Sequence, residues 1–480
     1  MDWLALQRRY PSSSGLTSRT LRLLALQKVL DGTQYDVLPY PFAMERSPAG
    51  EYIPLSQRRP SVRTNLCRTV VDEAVSLLFG TTHWPLALSL DAKTALALNR
   101  FAAEASLQPC MMQAALWGAV GSVALWVEVI SDRASVSVLG TAYLTPEWDR
   151  DGTLLSVTER YVVTGRELLA NGITPGTGGE ETRYWWQRRW TRREILYDVP
   201  FPVGEEGKPR IDSGRTVVHG LGVVPIVWIR NPGGDGREPE GECSFEKAID
   251  TVIEADYLLS QAGRGLKYGS DPTLVLKTPD IPEGVARQGG AASALTLPPE
   301  GDAKLLEING AAAGAVLSHY RELRQLVLEQ LHGNRMHGDR LGAPQSGRAM
   351  ELMCQPLIWM VDRLRGSFGH NGLLCLYKML CHFSSVLPGG LDIGGVRYRD
   401  LDPGGLALHW PAWFTADEVE LQPLAAGLRT ALDAGLLSRE NAARIYASAA
   451  GITDPAAEWI KIRTTQSDVT EEFGNSDHDG

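Results

Sequence analysis

Apolar positions recur at helical spacing over Leu21–Leu30, where Asp31-Gly32 closes the run, and again from Asn65 to Phe79. In the second stretch Leu66, Val70, Val71, Ala74, Val75, Leu78 and Phe79 form one stripe, and Gly80 supplies the stop. Between them lie an irregular piece with Pro39 and Pro41 and a polar, extended segment from Glu51 to Arg63. Ala92–Ala105 predicts another helix. Met111–Val127 is apolar apart from Gln113 and Ser122, close to the length of a membrane-spanning helix. Gly118 and Gly121 divide it, however, and beyond them Val123, Leu125, Val127 and Val129 alternate with Ala124, Trp126 and Glu128. A buried helix running into a core strand is the expectation, not a membrane span.

From Ser122 to about Asn231 the period is two. Val123–Ile130, Ala134–Leu139, Ser156–Thr164, Thr182–Trp190 and Ile195–Val199 are strand candidates in an antiparallel region, with polar connections at Pro200–Ser213 and Pro232–Glu242. Helical spacing returns at Ser244, a candidate N-cap, with Phe245, Ala248, Ile249, Val252, Ile253, Leu259, Ala262 and Leu266 on one face. About 25 residues make a rod of roughly 37 Å. A compact insert, Gly269–Gly310, holds strand candidates at Thr273–Lys277, Ala294–Leu297 and Ala303–Ile308. A second long helix, Ala312–Leu331, directs Val316, Tyr320, Leu323, Val327 and Leu331 inward and stops at His332-Gly333. Two long helices around a small insert form a hairpin with a decorated tip.

A polar, glycine-rich loop then leads into a third helical stretch, Arg348 to about Phe383, broken near Gly366–Gly372. Residues 384–413 are irregular and include Trp410-Pro-Ala-Trp413, and helices return at Ala416–Ala434 and Glu440–Ala449. Thr464–Gly480 carries five acids and no Lys or Arg, and is expected to be disordered.

With 480 residues the chain has room for about three ordinary domains, and 44% apolar with 22% charged residues excludes wholesale disorder and a polytopic membrane protein. The net charge of −10 argues against a protein that grips nucleic acid tightly. The six cysteines show no CxxC pair, which fits thiols in a reducing compartment, and no signal peptide is visible.

Catalytic motifs are sparse. There is no GxxxxGK[ST], GxSxG or HExxH. Gly220-Leu-Gly222-Val-Val-Pro225 imitates a dinucleotide fingerprint, but Pro225 stands where the third glycine belongs, so a turn feeding the strand Ile226–Ile229 is expected. His332, His337 and Asp339 lack further metal ligands nearby in sequence, and no metal or cofactor is expected. The patch Arg183–Arg193 combines five arginines with Trp185, Trp186 and Trp190. It reads either as a nucleic-acid surface or as a strand whose aromatics face a core while arginines meet solvent or a neighbouring subunit. Trp185, Arg188, Arg189 and Trp190 are the candidate interface residues of the second reading.

This order of elements resembles the portal protein, or head–tail connector, of tailed bacteriophages. The likeness is carried by Leu30-Asp-Gly-Thr-Gln-Tyr35, by Asn65-Leu-Cys-Arg68-Thr-Val70-Val71-Asp72 through Leu78-Phe79-Gly80, and by His219-Gly-Leu-Gly222-Val-Val-Pro225 with Asn231-Pro232. Ser244–Lys267, Pro344-Gln-Ser346-Gly347-Arg-Ala349 and Leu436-Leu-Ser438-Arg-Glu-Asn-Ala442 complete it.

The resemblance implies an α+β portal-type subunit, with an α/β wing at residues 1–243 and a helical-hairpin stem at 244–268 and 312–332. The α/β clip would span 269–311, the tunnel loop 333–346, a long kinked helix 347–383, a helical crown 384–463 and an acidic tail 464–480. It implies a non-enzymatic, dodecameric ring at the capsid vertex of a virion, assembled in the host cytoplasm, through which double-stranded DNA passes without sequence specificity. The terminase large subunit, head–tail adaptor proteins, and major capsid and scaffold proteins would be its partners, and no membrane. Asn334, Arg335, Met336, His337, Asp339, Arg340 and Leu341 would line the channel, with Arg335 and Arg340 approaching phosphates. Gly333, Gly338 and Gly342 would let the loop move, and Ser346 and Gly347 would start the helix. A protein that binds nucleic acid through the Arg183–Arg193 patch without forming a ring is the alternative, and a hydrolase with a scattered site a further one.

Overall fold

The computed structural model describes residues 2–10, 15–174, 178–204, 209–234, 236–270, 274–277, 294–297, 310–333, 347–413, 418–452 and 458–464. The fold is α+β, with mostly antiparallel sheets. The chain divides into two units, Met1–Val71 with Ser244–Gly333, and Asp72–Cys243 with Asn334–Gly480. The boundary runs through the helix Leu66–Phe79. Among the described residues no helix is long and apolar enough to cross a membrane.

The first unit is built on the hairpin. Its helices are Ile249–Ser270, of 22 residues, and Gly310–Gln330, of 21, and they pack against each other. The turn Glu246–Ala248 before the first helix lies against the second, and the Asp256 charge reaches Tyr320, so the helices run antiparallel. Ser244 was expected as N-cap, but a 3-10 turn capped at Phe245 comes first and the α-helix starts at Ile249. Between the helices, Leu274–Lys277 pairs in parallel with Ala294–Leu297, while the third strand candidate, 303–308, lies outside the described residues.

The N-terminal segment packs with this hairpin. Helix Ser18–Leu30 is capped by the Thr17 hydroxyl, which accepts from the Thr20 amide at 3.2 Å, and ends at Gly32 with φ +70°. Asp256, fully buried, binds the segment to the first hairpin helix. Its carboxylate accepts from the Tyr35 hydroxyl at 2.8 Å, the Thr64 amide at 2.8 Å and the Thr64 hydroxyl at 2.7 Å. Burial pushes the Asp256 carboxyl above its ordinary range, against the pull of these donors.

In the second unit the helices Ala92–Glu104 and Leu107–Gly118 precede the strand Ser122–Ile130, as the change of period predicted. That strand lies between Ile226–Arg230 and Arg133–Gly140 in an antiparallel sheet. A larger sheet runs in the order Val217–Val218, Glu194–Tyr197, Arg183–Trp190, Leu154–Thr164, Leu144–Trp148. Ala124 and Ile226 from the first sheet share a core with Leu144, Val157, Trp190 and Ile195 from the second.

The expected break in the third long helix takes an unexpected form. Gly347–Leu364 and Cys375–Val386 are α-helical, and Arg365–Leu374 joins them as a π-helix rather than an interruption. Close neighbours explain the glycines here. A Cβ on Gly369 would stand 2.5 Å from Trp410 Cζ2, and one on Gly372 2.7 Å from Ile229 Cδ1. Helices Glu418–Asp433 and Arg439–Ala449 follow, the latter capped by Ser438.

Candidate functional site

The hairpin is anchored at one end. Ile249, Val252, Ile253, Ala255 and Tyr257 are buried near the start of the first helix, and Val327, Leu328 and Leu331 near the end of the second. Toward the other end burial gives way. Leu266, placed by its spacing on the inward face, is 51% exposed, and Leu317 is 48% exposed. Val316, Tyr320 and Leu323, also expected inside, are half-buried. The helices thus carry large aliphatic side chains that the described residues do not cover.

The second helix ends in a Schellman turn. The Gly333 amide donates to the Leu328 carbonyl at 2.9 Å and the His332 amide to Glu329 at 3.4 Å. The left-handed residue is His332, with φ +54°, rather than the glycine beside it. Gly333 is kept small by packing, because a Cβ there would meet Leu328 Cδ2 and Val70 Cγ2 at 2.9 Å each. Asn334, Arg335, Met336, His337, Gly338, Asp339, Arg340, Leu341, Gly342 and Ser346 lie outside the described residues, and Gly347 begins the next helix. Among the described residues no group of three His, Cys, Asp or Glu side chains could hold a metal ion.

The arginine–tryptophan segment forms the strand Arg183–Trp190, central in its sheet. Trp190 is fully buried and Trp185 is 5% exposed. Arg188 sits directly opposite Glu159 on the adjacent strand and donates to its carboxylate at 2.6 Å. Its guanidinium also lies 4.8, 5.3 and 4.4 Å from the rings of Trp126, Trp186 and Trp190. A cation neutralised by a carboxylate and faced by three indoles is part of the packing. Of the four candidate interface residues, Arg189 is the exposed one, donating to the Thr158 hydroxyl at 3.3 Å.

Gly220 and Gly222 have φ of +63° and +75° in a turn that feeds the strand Ile226–Arg230, as the absent third glycine implied. The turn is held by two histidines. The Leu221 amide donates to His219 Nδ1 at 3.1 Å, and the Leu221 carbonyl lies 2.9 Å from His382 Nε2. Because Nδ1 accepts, His219 is the neutral Nε2–H tautomer, and its Nε2 lies 3.2 Å from the Thr191 carbonyl. Burial is the main cause that lowers the His219 pKa.

One cluster escaped the sequence reading. Arg365, first residue of the π-helix, lies between Trp410 and Trp413, with ring centroids 4.6 and 3.3 Å from its guanidinium. Burial lowers its pKa to about 10, opposed by Asp362. The pair Trp410 and Trp413 was visible as a motif, but no spacing rule connects it to a distant arginine.

In comparisons with known proteins, the chain matches no family model and no curated protein.

Proposed function

We propose that this chain is the subunit of a portal-type ring, a conduit through which double-stranded DNA enters and leaves a phage capsid. The observation that carries the reading is the hairpin, two helices of 22 and 21 residues anchored at one end and bearing exposed leucines toward the other. In a ring those leucines meet the hairpin of the next copy. The order of the remaining elements supports the same reading, as do the six segments that resemble the family.

A conduit must let a polyanion slide. Each fixed cation along its wall adds affinity through counterion release, and with it drag. A net charge of −10 per subunit, repeated around a ring, repels DNA from the body and leaves contact to a few positions. In this proposal Arg335 and Arg340 approach passing phosphates while Asp339 limits the attraction. The subunit itself has no catalytic role. The terminase motor supplies the energy for packaging and docks with the head–tail adaptors on the insert between the stem helices.

Native mass spectra and negative-stain images of the purified protein at physiological salt test this. Closed rings of about a dozen copies with a central hole are expected, and Leu317→Glu with Leu266→Glu should deplete them. A monomer that binds duplex DNA tightly and with a steep salt dependence overturns the conduit.

A further inference from the structure

The first 71 residues carry ten Arg and Lys against five Asp and Glu, in a chain whose net charge is −10. Part of that excess converges on one carboxylate. Arg58, on a two-residue strand beside Tyr40–Pro41, is 2% exposed. Its NH1 donates to the Phe42 carbonyl at 3.1 Å and its NH2 to the Tyr52 hydroxyl at 3.3 Å, while its Nε has no partner among the described residues. The rings of Phe42 and Tyr52 each lie 5.6 Å from the guanidinium. Its nearest acidic atom is Glu45 Oε1, 3.9 Å from NH1.

The same Glu45 oxygen is also held by Arg264, from the first hairpin helix. Arg46, the next residue in the chain, adds a third positive field at this carboxylate. The three arginines are Glu45's attractive partners, and together they hold its carboxyl below the usual range. One exposed carboxylate therefore faces two guanidinium groups, and the deeper is a buried cation with a distant counter-charge and an unused donor. Burying a cation is favourable only where an anion stands against it.

We propose that Arg58 and Arg264 form an oxyanion site for a phosphate group, whose place Glu45 holds until the ligand arrives. Glu45 is suited to that part, because its side chain is 45% exposed and can swing into solvent without unpacking the core. A phosphate offers more acceptor oxygens and more charge than the carboxylate it displaces. Planar guanidinium forks match it in pairs. A free phosphate and a phosphodiester of the nucleic-acid backbone present the same oxygens, so the chemistry admits both.

The test uses thermal unfolding of the full chain in sodium phosphate against sodium chloride at equal ionic strength, and a short DNA duplex as a second probe. The readout is the midpoint of the saturable rise in Tm with probe concentration, taken against each variant's own probe-free Tm. Phosphate should raise Tm beyond chloride. Arg264→Gln should weaken the apparent affinity roughly tenfold, the weight of one charge-assisted hydrogen bond, and Glu45→Gln should strengthen it. A response to inorganic phosphate assigns the site to a free phosphate, and a response to duplex alone assigns it to a backbone phosphodiester. No specific response to either probe, or an undiminished response in Arg264→Gln, overturns the site. Ring formation, scored separately by imaging, should be unchanged in both variants, so this site and the conduit fail independently.

Discussion

Alanine substitutions at the three glycines of the π-helix should shift stability in opposite directions, although the chemical change is the same. Alanine is favoured over glycine by about 1 kcal/mol in a helix interior. At Gly366 a Cβ would meet nothing within 4 Å, so Gly366→Ala should realise most of that gain. At Gly369 the new methyl would stand 2.5 Å from Trp410 Cζ2 and 3.6 Å from Leu408 Cδ1. Carbon atoms settle at roughly 3.5–4.0 Å, so the indole must retreat by about 1 Å. It has little room to do so, being stacked 5.8 Å from Phe79 and 4.6 Å from the Arg365 guanidinium. Overpacking of this kind costs about 1–3 kcal/mol, so Gly369→Ala should be destabilising by up to about 2 kcal/mol after the helical gain. Gly372 presses on the flexible end of Ile229, 2.7 Å from Cδ1, and its penalty should be smaller. Urea unfolding followed by circular dichroism and tryptophan fluorescence measures all three. If the three alanines move the midpoint in the same direction, or Gly369→Ala is as stabilising as Gly366→Ala, the contact account of this segment is wrong.

Three other outcomes follow from local geometry. His332→Gly should stabilise the end of the second hairpin helix by about 1 kcal/mol, because glycine adopts φ +54° without a Cβ penalty, whereas Gly333→Ala should destabilise it through Leu328 and Val70; thermal melts distinguish the two. Asp256 has a folded pKa above its unfolded value, so its contribution to stability grows as pH falls through the folded pKa toward about 3.8. Asp256→Asn should remove that part of the profile, read by hydrogen exchange of the hairpin helices. His219 behaves in the opposite sense: with its folded pKa below 6.5, the stability it gives is present above 6.5 and is lost as pH falls through 6.5 to the lowered value. His219→Gln should flatten that loss in a fluorescence-monitored acid titration.

Periodicity located the long elements well: the helix buries one face, and the strand, buried on both faces over Val123–Leu125, still alternates beyond them. The stripe Leu66–Phe79 and the alternation Val123–Val129 appear as a helix and a central strand at nearly the expected residues. The strand Leu144–Trp148 escaped because Pro146 demotes any strand reading, yet as a sheet edge it tolerates a missing donor while Leu144 and Pro146 point inward. Gly366–Gly372 looked like a break because glycine disfavours a helix, but contacts with Trp410 and Ile229 outweighed propensity. Gly80 does stop the helix after Phe79 as expected, but with φ −57°, and it is kept small because a Cβ would lie 2.3 Å from the Ser76 carbonyl oxygen. The candidate site was less legible still. The Arg188 cage and the group around Glu45 join residues from separate strands and helices, and no one-dimensional pattern carries such pairings.

The interleaving of the two units sets a timetable for synthesis. Residues 1–71 leave the ribosome well before the helices they pack with, which begin at Ser244 and are complete only near Gly333. At about 5–20 residues per second, Tyr35, Leu23 and Leu26 wait on the order of tens of seconds for their partners. During that interval the nascent chain must carry a basic, half-formed segment while the intervening residues emerge as one long loop. Closing that loop adds little to the equilibrium cost, since its entropy grows only logarithmically with length, but it delays nucleation of the first unit. Chaperone dependence of this protein should therefore fall on residues 1–71.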